Sequence, residues 1–127
     1  MDEQILQFCG VEGGACSKKT NDDALNTAWG NVQDHYVVGI TEELESSLAL
    51  FEHVFPTFFG GVTEMYQTVT RMKVTRGNRL EASSHTREIL SKMMAKEIQL
   101  YDRVVAMFRN TYNSCMTSAA TINSTRT

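Results

Sequence analysis

Pro56 is the only proline among 127 residues, and it fixes where the most apolar helical stretch of the chain must end. Proline cannot donate a backbone hydrogen bond, and it pushes the residue before it, here Phe55, away from helical geometry. Upstream, Leu44, Leu48, Phe51 and Phe55 recur at i, i+4, i+7 and i+11. They therefore share one helix face, which is expected to bury. Thr41 stands where an N-cap belongs, and Glu42 and Glu43 place negative charge beside the unpaired amides of the first turn. Before them, Tyr36, Val37 and Val38 form a β-branched and aromatic run that predicts a short buried strand, Tyr36–Gly39, with Gly39 permitting a close backbone turn. After Pro56, Phe58 and Phe59 are expected to insert into the core. A lone strand cannot satisfy its own ladder hydrogen bonds, so this one implies a sheet completed by more chain.

The remaining elements read as helices. Leu25, Ala28, Trp29 and Val32 are helically spaced over Ala24–Val32, with Asp22 or Asp23 as the cap and Gly30 keeping the helix short. Val62, Met65, Tyr66 and Val69 predict another short helix. From about Ser84 to Tyr112, Ile89, Met93, Leu100, Val104 and Phe108 recur beside Leu90, Met94, Ile98, Tyr101, Val105 and Tyr112, which predicts one long helix with a broad apolar stripe. Glu88 and Lys92 are oriented for an i, i+4 pair worth a few tenths of a kcal/mol. Residues 113–127 are rich in Ser, Thr and Ala and are expected to form a disordered polar tail. About four helices and one strand result over 1–112, which fits one small domain or a piece of a larger one.

A net charge of -3 excludes a globally basic nucleic-acid binder, so any polyanion site has to be a local patch. No stretch approaches the roughly 18 apolar residues needed to span a bilayer, and Met1–Gly10 lacks the basic start and apolar core of a signal peptide. No targeting signal or membrane span is expected within the chain.

Local chemistry concentrates in Thr70–Arg79, TRMKVTRGNR. Arg71, Lys73, Arg76 and Arg79 sit there with Thr70, Thr75 and Gly77. Guanidinium groups offer planar forks that match phosphate and sulfate oxygens, and hydroxyls and glycine amides add shorter contacts. The segment is either an anion site or a solvated connector. Cys9 and Cys16 flank GVEGGA; they are either a disulfide, which in the chain-entropy model contributes about 2–3 kcal/mol, or two free thiols in a reducing compartment. Cys115 is left over. His35, His53 and His85 have no zinc-ligand spacing and no neighbouring nucleophile or carboxylate arrangement, so each reads as structural and neither a metal nor a catalytic residue is assigned. No Walker-type loop and no GxGxxG occurs.

The order FCG, a short loop, Cys, a helix containing Trp29, then VGITEELE, a Leu and Phe helix, PTFFGG and TEMY resembles the C-terminal half of the glycosaminoglycan uronyl 2-O-sulfotransferases, most closely the heparan sulfate type. The resemblance runs from about Phe8 to Tyr112. It implies an α/β, P-loop-like sulfotransferase fold of which this chain is a mostly helical portion. It also implies sulfuryl transfer from 3'-phosphoadenylyl sulfate, the donor substrate, to the 2-hydroxyl of a uronic acid in a sulfated polysaccharide. Catalysis in such in-line transfer rests on positioning, a base and charge stabilisation. The family's phosphosulfate loop and histidine base lie before the FCG cysteine, so the chain alone is expected to be inactive. Cys9 and Cys16 match the family's paired cysteines, which implies a disulfide and an oxidising Golgi lumen with a type II membrane parent. Tyr66 matches a tyrosine bordering the nucleotide. The basic segment matches the one that meets the nucleotide 3'-phosphate and the acidic polysaccharide, which makes Lys73, Thr75 and Arg76 the cofactor candidates and Arg76 and Arg79 the acceptor candidates. Asn123-Ser124-Thr125 is a glycosylation sequon. A homo-oligomer is expected only of the full-length parent. The other reading is a small helical module that binds anions or a protein without chemistry.

Overall fold

The computed structural model describes residues 3–10, 16, 21–70 and 80–124. Among them are seven α-helices: α1 (Glu3–Cys9), α2 (Asn21–His35), α3 (Leu44–Val54), α4 (Pro56–Phe59), α5 (Val62–Thr70), α6 (Ser84–Met93) and α7 (Ala95–Ser124), with a 3-10 turn at Thr41–Glu43. The chain divides into two compact units, Met1–Tyr36 with Asn78–Val104, and Val37–Gly77 with Val105–Thr127.

In the first unit, α1 packs on α2. Ile5, Cys9, Cys16, Ala24, Leu25, Ala28 and Leu100 form the core, and Leu6, Phe8, Trp29 and Val104 close over it. Fully burying a side chain such as Leu25 or Ile5 contributes about 1.5–3 kcal/mol. The face predicted from Leu25, Ala28, Trp29 and Val32 is the one that packs, although α2 starts earlier and runs through Gly30 to His35. Gly10, at φ +97°, stops helix α1 locally, but at seven residues the helix is too short to persist alone. Tertiary partners supply its caps. The Ile5 N–H donates to Glu97 Oε1 at 3.1 Å, and Asn31 Nδ2 donates to the Phe8 carbonyl at 2.9 Å. Glu97, only 8% exposed, thereby meets an amide that the first turn of α1 leaves unpaired. Lys96 pairs with Asp22, and Phe8 packs edge-on against Tyr36 with ring centroids 5.3 Å apart.

The second unit contains α3 to α5. Helix α3 ends at Val54 and Pro56 occupies the first position of α4, as the proline dictates. Several other expectations are corrected. Tyr36–Gly39 is not a strand; no strand occurs among the described residues, so the run has no ladder partner and leads, extended at Ile40, into the 3-10 turn. Thr41 does not cap: its hydroxyl turns to Glu42 at 3.3 Å. Ser47 instead ties the chain before the helix back onto it. Its Oγ accepts the Ile40 N–H at 2.8 Å and lies 2.9 Å from the Glu43 carbonyl and 3.0 Å from the Ile40 carbonyl, either of which can accept its proton. The buried face of α3 is consequently Ser47 and Leu50, whereas Leu44 and Phe55 stay exposed. Phe59 packs on Phe51 at 5.4 Å, but Phe58 is 85% exposed rather than inserted.

The predicted long helix is two. Ser83 caps α6 by accepting the Thr86 N–H at 3.2 Å, and the helix breaks at Met94. All ten residues of α6 are exposed. Of the predicted apolar stripe, Leu100 and Phe108 bury, while Ile89, Leu90, Met93, Met94, Ile98 and Tyr101 remain on the surface. The stretch expected as a polar tail continues α7 through Ser124. No described helix is long and apolar enough to cross a membrane.

Candidate functional site

Of the predicted cofactor and acceptor residues, Tyr66 is placed by the structure; Lys73, Thr75, Arg76 and Arg79 lie outside the described residues. Tyr66 is half-buried on α5 and borders an open groove of about 570 Å³ with Thr41, Glu42, Glu43, Leu44, Glu45, Ser46 and Gln67. Three of those residues are glutamates. Arg109 offsets one of them, donating to Glu43 Oε1 from Nε at 3.0 Å and from Nη2 at 2.5 Å. Among the described residues, the groove wall is therefore rich in hydrogen-bond acceptors. Its described carboxylates suit donor groups such as amines or hydroxyls.

The groove is held by contacts from α3 to α5. Glu52 is the main one. Its Oε1 accepts the Gly61 N–H at 2.5 Å, and its Oε2 accepts the Thr63 hydroxyl at 2.5 Å and the Thr63 N–H at 3.3 Å. The Thr63 hydroxyl, followed by the Gly61 amide, holds the Glu52 carboxyl below its ordinary value against a smaller opposing effect of burial. A carboxylate beside the first turn of α5 also meets the positive end of the helix dipole. Seven residues earlier on α3, Glu45 Oε1 accepts Gln67 Nε2 at 3.2 Å, next to Tyr66. Neither Glu52 nor Thr63 stood out in the sequence. The available signal was a glutamate on the helix before a Gly-Gly turn that opens the next helix.

Gly39 approaches this scaffold closely. A Cβ there would lie 2.8 Å from both Phe51 Cζ and Ser47 Cβ. Cys9 and Cys16 are bonded, with Cα atoms 6.1 Å apart, and Cys115 is a free, half-buried thiol. His35, His53 and His85 are all exposed. Among the described residues, no group of three or more His, Cys, Asp or Glu could hold a metal ion. Asn123 lies in the helical backbone of α7.

Heparan sulfate 2-O-sulfotransferase 1 of Gallus gallus is 34% identical to this chain over 96 residues, which is 75% of the chain and 26% of the relative. The Homo sapiens protein of the same name is 31% identical over the same share of both. The chain is homologous to part of the heparan sulfate 2-O-sulfotransferases. A Drosophila melanogaster protein named heparin sulfate O-sulfotransferase extends the match to 109 residues, at 30% identity over 83% of the chain and 31% of the relative. The chain thus spans about a quarter to a third of the length of these sulfotransferases. No family model and no solved structure matches it.

Proposed function

We propose that these residues form the scaffold and part of the donor-side wall of a glycosaminoglycan uronyl 2-O-sulfotransferase, which moves a sulfuryl group from 3'-phosphoadenylyl sulfate to the 2-hydroxyl of a uronic acid in a heparan- or dermatan-type chain. The observation that carries this reading is the 34% identity over 96 residues to a named 2-O-sulfotransferase. Tyr66 borders the base of the nucleotide. The acceptor-rich groove beside it suits the exocyclic amine of adenine. Phosphate is met instead by Lys73, Thr75 and Arg76, and the sulfated acceptor by Arg76 and Arg79, since guanidinium forks match such oxygens in two-point contacts. No histidine here has the surroundings of a base, so the 127 residues alone transfer no sulfuryl group. The parent is a Golgi-lumenal type II membrane protein that oligomerises with itself, keeps Cys9–Cys16 oxidised and carries a glycan at Asn123.

Retention on a heparin column tests the reading. Arg76→Ala with Arg79→Ala should elute at clearly lower salt than the parent chain; unchanged retention would reduce the basic segment to a connector. Measurable sulfuryl transfer by the isolated chain would contradict the claim that it holds no base.

One observation favours a second reading, a non-catalytic module that binds a protein or anions. Ile89, Leu90 and Met93 are exposed on α6, none of whose residues is buried. A protein module would capture a partner through that face, and Leu90→Glu would abolish capture while leaving heparin retention intact.

A further inference from the structure

Helix α5 has no fully buried residue among positions 62–69, and only Val62, Thr63 and Tyr66 on one side are half-buried, so apolar packing holds its rotation about its own axis weakly. Polar contacts from α3 reinforce it. Glu45 and Glu52 are seven residues apart and share one face of α3, and their partners Gln67 and Thr63 are four apart and share one face of α5. A helix gripped at two points along one face cannot turn without breaking both. The turn before it leaves little slack. Gly61 has φ +81°, a region only glycine enters freely, and a Cβ at Gly60 would sit 2.7 Å from the Pro56 carbonyl oxygen.

We propose that Glu52 is a positioning residue for Tyr66, clamping the first turn of α5 so that the Tyr66 ring faces the groove at the start of α3. This rests on the reading of Tyr66 as the residue that borders the donor nucleotide. Glu52 touches no ligand itself; it acts through Thr63 and Gly61. The carboxylate form carries the clamp, in keeping with the downward shift that Thr63 and Gly61 impose on its titration. Glu45 with Gln67 supplies the second grip.

The test is an NMR titration of the full chain with adenosine 3',5'-bisphosphate, in parallel with heparin retention. Glu52→Gln and Thr63→Val should each weaken nucleotide binding by about tenfold, less than the ~10²-fold that a 1 Å misplacement can cost. Thr63→Ser, which keeps the hydroxyl, should bind as the parent does. Heparin retention should not change in any of them, because the basic segment is untouched; a general loss of fold would lower both. Should Glu52→Gln erase the α5 amide signals, Thr63→Val is judged by the same criteria. Parent binding with undiminished binding by Thr63→Val overturns the positioning role and leaves the nucleotide reading standing. No binding by the parent chain overturns the nucleotide reading, and the positioning role falls with it.

Discussion

Gly39→Ala should destabilise the second unit, and the geometry sets both the sign and the size. Replacing glycine by alanine where the backbone tolerates it stabilises by about 0.4–1 kcal/mol, because the unfolded chain loses freedom. Here the new methyl would stand 2.8 Å from Phe51 Cζ and 2.8 Å from Ser47 Cβ, closer than carbon atoms pack. Overpacking of that kind costs about 1–3 kcal/mol. The clash wins, for a net loss of about 1–2 kcal/mol. Ser47 cannot step aside freely, since its hydroxyl holds the buried Ile40 amide at 2.8 Å. Gly30→Ala is the control of opposite sign. Its methyl meets nothing within 4 Å in the middle of α2, so it should stabilise by about 0.5–1 kcal/mol. Amide hydrogen exchange, read across α3 for the Gly39 variants and across α2 for Gly30→Ala under identical conditions, measures the local opening free energy. Adding Phe51→Leu, which removes the Cζ contact, should recover part of the Gly39→Ala loss, with a coupling of at least about 0.5 kcal/mol. Equal or greater α3 protection in Gly39→Ala would refute the steric reasoning, as would strictly additive effects in the double variant.

Ser47→Ala leaves the Ile40 amide without its acceptor and should cost about 1–3 kcal/mol, read by urea denaturation. Glu97→Ala removes the acceptor for the Ile5 N–H and should selectively accelerate hydrogen exchange in α1, by roughly 1.5–3 kcal/mol of lost protection. Glu52 titrates below its ordinary value in the folded chain, so its stabilisation is fully present above the unfolded carboxyl range and is lost as pH falls through the folded value. Thermal scans should therefore separate parent from Glu52→Gln at neutral pH and converge in acid. Replacing both Cys9 and Cys16 by Ser should lower stability by about 2–3 kcal/mol, and non-reducing mass spectrometry of secreted material should find the two linked.

What was legible in the sequence was local. The i, i+4 spacing of Leu25 and its neighbours, the stop at Pro56, the start at Ser84 and the Glu88–Lys92 pair, 2.7 Å apart, all depend on residues within a few positions of one another. What stayed hidden depends on distant partners. Helix α1 has a local stop at Gly10, but the partners that cap its ends, Glu97 and Asn31, lie 92 and 23 residues away, and no propensity encodes that. The buried face of α3 was misjudged because Ser47, a polar residue, is its best-buried side chain apart from Leu50. An apolar stripe from Ile89 to Phe108 predicted burial that only Leu100 and Phe108 fully attain, since periodicity identifies a face but not what covers it. The break at Met94 has neither glycine nor proline to announce it. At the candidate site, Tyr66 was found by resemblance, whereas the carboxylates that hold its helix emerge only from the fold.

Calorimetric titration with adenosine 3',5'-bisphosphate tests most directly whether the chain carries part of a sulfotransferase donor site. The parent chain should bind one equivalent, and Lys73→Ala or Arg76→Ala should each weaken binding about 10- to 100-fold, the value of a charge-assisted hydrogen bond of roughly 1.5–3 kcal/mol. No saturable heat from the parent chain, or an affinity indifferent to both substitutions, would contradict it.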